Sequence, residues 1–335
     1  MNNFLKIFFN IKTVLPACFL LFITVLPAQA KMEKLVLAGP KASVTHPMAY
    51  MIEAGLLDDI ASEVELRIWD NPDQLRSLIA GGQAHFAAVP SYVAAVFHNK
   101  GIPLRLLNIS TWGILWMVSS DADVHSIADL KGEEISMSSR NDMADLVFKS
   151  LALSQGLDSE KDFKLRYNTN QPTVVQDVLS RRTKHGILVE PLMTMALMKS
   201  EKMQPGAAKL YRAISVQEEW GKVYKREPKI PQGGICATPA ITDNPEAVKE
   251  FQQAYKTAIE WCNKNPMKAG KLAAKYIPGL QAKPVGMALK NSGLQFVPVQ
   301  EAKPELIHFF NVLKKIHPKK IGGKLPDDDL YWDEK

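Results

Sequence analysis

The chain has 335 residues, of which 46% are hydrophobic and 23% charged, with a formal charge of +6. That balance describes a soluble globule of more than one domain and excludes a fibrous, disordered or many-spanning membrane protein. The basic residues are scattered, with neither an arginine-rich stripe nor interleaved aromatics, which argues against a nucleic-acid partner.

The first thirty residues carry Lys6 and Lys12, a nearly unbroken apolar run over 14–26, and Ala28-Gln29-Ala30. A basic start, a short greasy middle and an A-x-A exit are the parts of a secretory signal peptide, cut after Ala30. The run is short of the roughly twenty residues a spanning helix needs. Two other readings compete: a retained anchor, and a lipobox at Leu15-Pro16-Ala17-Cys18. Against the lipobox stand Pro16 beside the small position and the apolar stretch 19–22 that would open the mature chain. Of the three cysteines, Cys236 and Cys262 remain after cleavage. Export permits a disulfide, but their strand-like and helix-like settings favour two buried thiols. No CxxC or His-rich spacing suggests a metal, and no cofactor motif is present.

In the mature chain, 34–38 reads as a strand and 46–60 as a helix, with Met48, Met51, Ile52 and Leu56 on one face. A half-buried strand at 64–69 precedes a helix opened by Asn71-Pro72-Asp73 and closed by Gly81-Gly82. Strand 85–89, helix 91–99 and strand 104–109 follow. Strand and helix alternate at short spacing, which predicts a parallel sheet covered by helices. The pattern restarts with strand 114–118, a short helix at 127–132, strand 134–137, helix 142–153, strand 163–167, helix 174–179, strand 186–189 and helix 191–198. A strand at 232–237 returns to the first unit. The helices 245–264, 266–276, 284–292 and 304–316 complete it, two of them opened by Asn-Pro. The polar end, with Tyr331 and Trp332, reads as a surface strap. The expected organisation is an α/β protein: a signal at 1–30, a first lobe from 31–115 and 216–318, an inserted second lobe at 116–215, and a strap at 319–335.

Four stretches in this order resemble a known family. They are MAYMIEAGLL at 48–57, QLRSLIAGGQAHFAAVP at 74–90, IADLKGEEIS at 127–136 and EAVKEFQQAYKTAIEWCNKNPMKAGKLAAKY at 246–276. Together they resemble the periplasmic solute-binding proteins of ABC importers, in the nitrate, sulfonate, taurine and thiamine-precursor group. The resemblance implies a type II periplasmic-binding fold: two α/β lobes joined by crossing strands, a ligand cleft between them and a helical tail. It implies a monomer that delivers a small molecule to an ABC permease with its cytoplasmic ATPase.

Open α/β sheets bind ligands beyond the carboxyl ends of their strands, so the candidate contacts are strand-end residues. After the first strand come Gly39, Lys41, Ser43 and His46; a glycine there lets backbone approach a ligand, and the following helix start offers N–H groups to an anion. Trp69 and Asp70 end the second strand and Ser91 the third, although Asp70, Asn71 and Ser91 can equally serve as helix caps. Trp112, with Trp116, can stack a flat ligand, or pack in the hinge core. Ser138, Ser139 and Arg140 bring hydroxyls, N–H groups and a guanidinium to one turn, which suits an oxyanion. Asn168, Thr169 and Glu190 end the later strands. Arg140 and Glu190 in one cleft would fit a polar or zwitterionic heteroaromatic better than nitrate.

No G-x-S-x-G, P-loop or HExxH is present, so binding without a chemical step is the expectation. The alternatives are an exported ligand sensor and an enzyme of the same fold, of the kind found in pyrimidine and menaquinone biosynthesis. Intact-mass measurement of the exported protein should give a chain that starts at Lys31. A mass that includes a lipidated Cys18 or the whole N-terminus would refute cleavage after Ala30.

Overall fold

Short aliphatic and β-branched runs, each followed by a helix with its own cap, set the order of the chain. The computed structural model describes residues 31–203 and 208–333; the signal segment, its cut after Ala30 and Cys18 lie outside them. The first unit contains β1 (Met32–Gly39), α1 (His46–Glu53), β2 (Ala61–Ile68), α2 (Pro72–Ala80), β3 (Phe86–Pro90), α3 (Ser91–Asn99) and β4 (Arg105–Thr111). Next come β5 (Leu115–Ser119), β6 (Glu134–Met137), α4 (Met143–Ser154), β7 (Lys164–Tyr167), α5 (Gln171–Leu179), β8 (His185–Val189), α6 (Leu192–Glu201), β9 (Tyr211–Ser215) and α7 (Val216–Tyr224). The chain then returns through β10 (Gly233–Ala237) and ends in α8 (Pro245–Lys264), α9 (Pro266–Tyr276), α10 (Ala282–Ala288), β11 (Leu294–Pro298) and α11 (Val299–Ile316). Asn71, Asp142, Asn170, Ser215 and Asn244 accept first-turn N–H groups with their side chains, as residues that compete for backbone hydrogen bonds do at helix starts.

Two sheets result, in the orders β11-β4-β10-β3-β1-β2 and β7-β6-β8-β5-β9. Neither is wholly parallel, contrary to the sequence expectation. In the first sheet β10 is antiparallel to β3 and β4, and β11 is antiparallel to β4. In the second, β5 is antiparallel to β8 and β9. The reason is connectivity. The chain leaves the first sheet along β4 and re-enters it from the hinge end, so the returning strand must run the other way.

The α1 helix stops at Glu53 instead of 60. Gly55 takes φ +65, Leu56 N–H donates to Met51 O at 2.9 Å and Gly55 N–H to Ile52 O at 3.2 Å, a Schellman ending that only a residue tolerant of φ > 0 completes cheaply. The apolar residues beyond it pack as a turn. The segment 127–132 forms one 3-10 turn over Ile127–Leu130. Strands β9 and β11 and helix α7 are absent from the sequence reading. Helix α11 begins at Val299, with Pro304 inside it rather than at its start.

Packing explains the layers. On one face of the first sheet, Phe86 stacks on Phe251 of α8 with centroids 3.8 Å apart, and buried Tyr255 donates to Val44 O at 2.6 Å. On the other face, Phe309, Phe310 and Leu313 of α11 join a core that continues through Trp220 of α7 and Phe148 of α4 into the second sheet. Each such buried side chain contributes about 1.5–3 kcal/mol. The terminal segment docks on the first sheet. Tyr331 bridges Leu106 of β4 in parallel, beyond the stretch of β4 that β11 covers, and Asp327 pairs with His98 at 2.7 Å. Cys236 and Cys262 are buried free thiols, with burial pushing Cys262 up to about 12. No described helix is long and apolar enough to cross a membrane.

At Gly234 an added Cβ would lie 1.8 Å from Asn108 O, so β10 fits between its neighbours only with glycine there. Overpacking of this kind costs about 3 kcal/mol. Gly234→Ala should lower the denaturant midpoint accordingly in equilibrium unfolding; an unchanged midpoint would show that the strand gap can widen.

Candidate functional site

The carboxyl ends of β1, β3 and β4 in the first sheet, and of β6, β7 and β8 in the second, lead into the turns that the sequence nominated. The structure assigns these residues unequal surroundings. Gly39 sits where a Cβ would be 2.4 Å from Thr45 Oγ1, and Gly39 O accepts Trp69 N–H. Lys41 is exposed and paired with Asp70 at 3.0 Å. Ser43 is buried and donates to Ser292 Oγ at 3.2 Å. Ser91 is buried and donates to Pro231 O. Trp112 is buried in the core, its indole N–H bonded to Gln295 O at 3.0 Å.

In the second sheet, Arg140 pairs with Glu160 at 3.2 Å and lies over the Tyr167 ring, 4.4 Å from its centroid. Exposed Ser139 contributes only its carbonyl, to Asp142 N–H. Asn168 donates to Ser136 Oγ at 2.8 Å and to Asp177 Oδ2 at 3.0 Å; Thr169 Oγ1 accepts from Asn170 at 3.4 Å. Glu190 is fully buried, 2.6 Å from Arg212 Nη2, and accepts from Thr194 N–H and Oγ1. Its burial outweighs the guanidinium and pushes the carboxyl above its usual range. The cations and the acid that looked free in the sequence are therefore held by protein partners.

What converges instead is Ser138, which the sequence nominated, with Asp142 and Gln171, which it did not, and Tyr92, which follows Ser91 at the end of the third strand. Ser138 donates to Asp142 and accepts from Gln171 Nε2 at 2.8 Å; Gln171 Oε1 accepts Val189 N–H at 3.3 Å. Asp142 also caps α4 by accepting Asp145 N–H at 3.1 Å. From the first sheet, Tyr92 at the start of α3 comes close enough for the Asp142 charge to raise its hydroxyl pKa, on top of burial. Ser138, Asp142 and Gln171 thus form one hydrogen-bonded cluster, and Tyr92 of the first unit lies within reach of its charge. A capping aspartate four residues after a strand-end serine was the sequence signal available for this pair.

The first-sheet strand ends also hold buried polar atoms without a partner among the described residues. They are both ring nitrogens of His46, Trp69 Nε1, Thr111 Oγ1 and Gln232 Nε2. Gln232 is anchored through its Oε1, which accepts Ile114 N–H at 2.7 Å, so its amide N–H₂ stays free as a donor. Burial lowers the His46 pKa to about 4, leaving a neutral imidazole with one donor and one acceptor. Buried polar groups are rarely left unpaired, and four such side chains at strand ends are suited to holding a polar solute.

Asp142 yields a pH prediction. Burial raises its folded pKa above the unfolded value, despite the hydrogen bonds from Ser138 and the α4 backbone. Its stability contribution is therefore full below the unfolded carboxylate pKa and lost as pH rises through the raised folded pKa. Asp142→Asn should make unfolding free energy larger than that of the parent at pH 7, with the gap closing below about pH 4. A gap that is constant with pH would contradict the assignment.

The chain matches a known family. Residues 43–265 fit the family model described as ABC transporter, phosphonate, periplasmic substrate-binding protein. No curated protein matches the chain by sequence. Among solved structures, an ABC transporter protein of Parabacteroides distasonis superposes with TM-score 0.74 at 19% identity, over 91% of this chain and 100% of that one. The aliphatic sulphonate binding protein SsuA of Escherichia coli gives 0.68 at 14%, over 90% and 92%. The nitrate-binding protein NrtA of Synechocystis gives 0.60 at 15%, over 81% and 74%. These likenesses are of fold, and they agree with the type II arrangement of two lobes. The family match runs from the turn after β1 to the end of α8 and so takes in most of both sheets: the chain belongs to the periplasmic substrate-binding proteins of ABC transporters, the extracytoplasmic solute-binding components of ABC-type importers.

Proposed function

We propose that the solute is a small phosphonate-type oxyanion, captured between Tyr92 and the Ser138–Asp142–Gln171 wall and passed to a permease by a signal-cleaved, monomeric protein without a chemical step. The observation that carries this reading is the carboxylate of Asp142 set among neutral donors. A carboxylate only accepts hydrogen bonds. A phosphonate monoanion still carries one P–OH that can donate to Asp142. A sulfonate has no such proton and would place two anions against each other in a site of low dielectric, where repulsion is strong. The neutral donors of Tyr92, Trp69, Thr111, Gln232 and His46 supply hydrogen bonds to the remaining oxygens, and helix starts favour anions without any side-chain cation. Lys41 and Arg140 are not required, which agrees with their pairing to Asp70 and Glu160. The family description names phosphonate, and SsuA names a sulphonate; Asp142 favours the first.

Isothermal titration with methylphosphonate and methanesulfonate tests this. Methylphosphonate should bind at least tenfold more tightly, about 1.4 kcal/mol. Asp142→Asn should abolish that preference, because an amide can donate to a sulfonate oxygen. Tyr92→Phe should weaken methylphosphonate by tenfold or more, the loss of a hydrogen bond to a charged group being about 1.5–3 kcal/mol. Equal affinities in the parent protein, or an undiminished preference in Asp142→Asn, would sink the proposal.

A further inference from the structure

A second cavity, of about 570 Å³, lies at the hinge on the β11 side. It shares no lining residue with the Tyr92–Asp142 site. Its walls come from both sheets: Trp116 of β5 and Gln217 of α7 on one side, Leu294 and Gln295 of β11 on the other, with Trp112 and Lys229 on the two crossings. Lys290, in the turn after α10, lines it too.

The tryptophans bring apolar surface and no free donors. Trp112 N–H is bonded to Gln295 O at 3.0 Å and Trp116 N–H to Asn291 O at 3.3 Å. Arg212 covers one face of Trp116, 4.3 Å from its centroid. The polar groups are different. Lys229 and Lys290 make no ion pair among the described residues, and Glu218 is the one acid among the lining residues, so the cavity has an excess of positive charge. Gln217 is more than nine-tenths buried, and its Oε1 has no partner among the described residues. The residue is pressed against Gly113, where a Cβ would lie 2.8 Å from Gln217 Cγ, which holds the amide at the cavity wall.

We propose that this cavity is a second ligand site, for a small planar carboxylate, and that its occupant regulates solute binding. The carboxylate lies toward Lys229 and Lys290 and away from Gln217 Oε1, an acceptor that takes water or a donor on the occupant's body. The flat apolar body lies along the half-buried Trp116 indole. Because the walls belong to both sheets, the occupant binds one hinge angle better than others. A ligand shifts a conformational equilibrium by its differential affinity for the two states, and coupling between two sites is reciprocal. An occupant here therefore changes solute affinity in the Tyr92–Asp142 site.

Benzoate is a suitable probe, followed by titration calorimetry and by tryptophan fluorescence of the full protein. It should bind saturably. The double variant Lys229→Gln/Lys290→Gln should weaken it at least tenfold; Lys290 is exposed and Lys229 half-buried, and an unchanged melting temperature will confirm that the variant is folded. Tyr92→Phe should leave benzoate affinity unaltered. Saturating benzoate should shift methylphosphonate affinity at least threefold in the parent protein and not in the lysine variant. Four results would overturn the proposal: absence of benzoate binding at millimolar concentration, benzoate affinity equal in the lysine variant, loss of benzoate binding in Tyr92→Phe, or methylphosphonate affinity indifferent to benzoate. If methylphosphonate fails to bind at all, the solute assignment falls, while the first three benzoate arms still decide this site.

Discussion

The narrow slot occupied by β10 is the constraint on which the molecule depends. This strand is hydrogen-bonded on both sides, to β3 and to β4, and it carries the chain back from the second sheet into the first. Gly234 leaves room for the Asn108 carbonyl, and Gln232, one residue before the strand, ties its side chain to Ile114 on the outgoing crossing. The two crossings are therefore cross-linked to each other. Ser91 at the start of α3 also reads the position of this strand, through its N–H to Gln232 O and its hydroxyl to Pro231 O. Hinge, sheet and strand-end turns are set by a single antiparallel insertion.

Charge is managed in the same economical way. The second sheet has a buried Asp177 shared by Arg166, Arg182, Ser136 and Asn168, and a buried Glu190 held by Arg212 and Thr194. Uncompensated buried charge is expensive, so arginines and hydroxyls near the strand ends are occupied in neutralising it. On the proposed reading, recognition falls to neutral donors and to Asp142, whose carboxyl pKa is raised by burial rather than lowered by a cation.

Helices with strong local signals were legible. Asn-Pro starts gave 245–264 and 266–276 to the residue, and 91–99 was also read correctly, because caps and proline act within one turn. The elements that escaped have weak local signals. Strand β11 lies at a sheet edge, with only one buried residue, and β9 is mostly half-buried; neither alternates cleanly. The helix expected to run to 60 overran because apolar spacing continued past Gly55, while the backbone obeyed the glycine. At the strand ends, the sequence reading picked out polar residues but not their partners. Lys41, Arg140 and Glu190 found Asp70, Glu160 and Arg212, distant or unremarkable in sequence.

By itself the sequence determined the alternation of strand and helix and the family likeness, since these rest on short-range periodicity, caps and motif order. Only the tertiary structure decided strand direction, which depends on where the chain re-enters a sheet. Only it decided which polar side chains are already paired and which have no partner among the described residues, because pairing is a property of distance in space. It moved attention from the arginine and lysine that looked free to Tyr92, Asp142 and four unpartnered donors. It also placed Trp112 and Trp116 at a hinge cavity whose two walls the chain brings together from opposite ends.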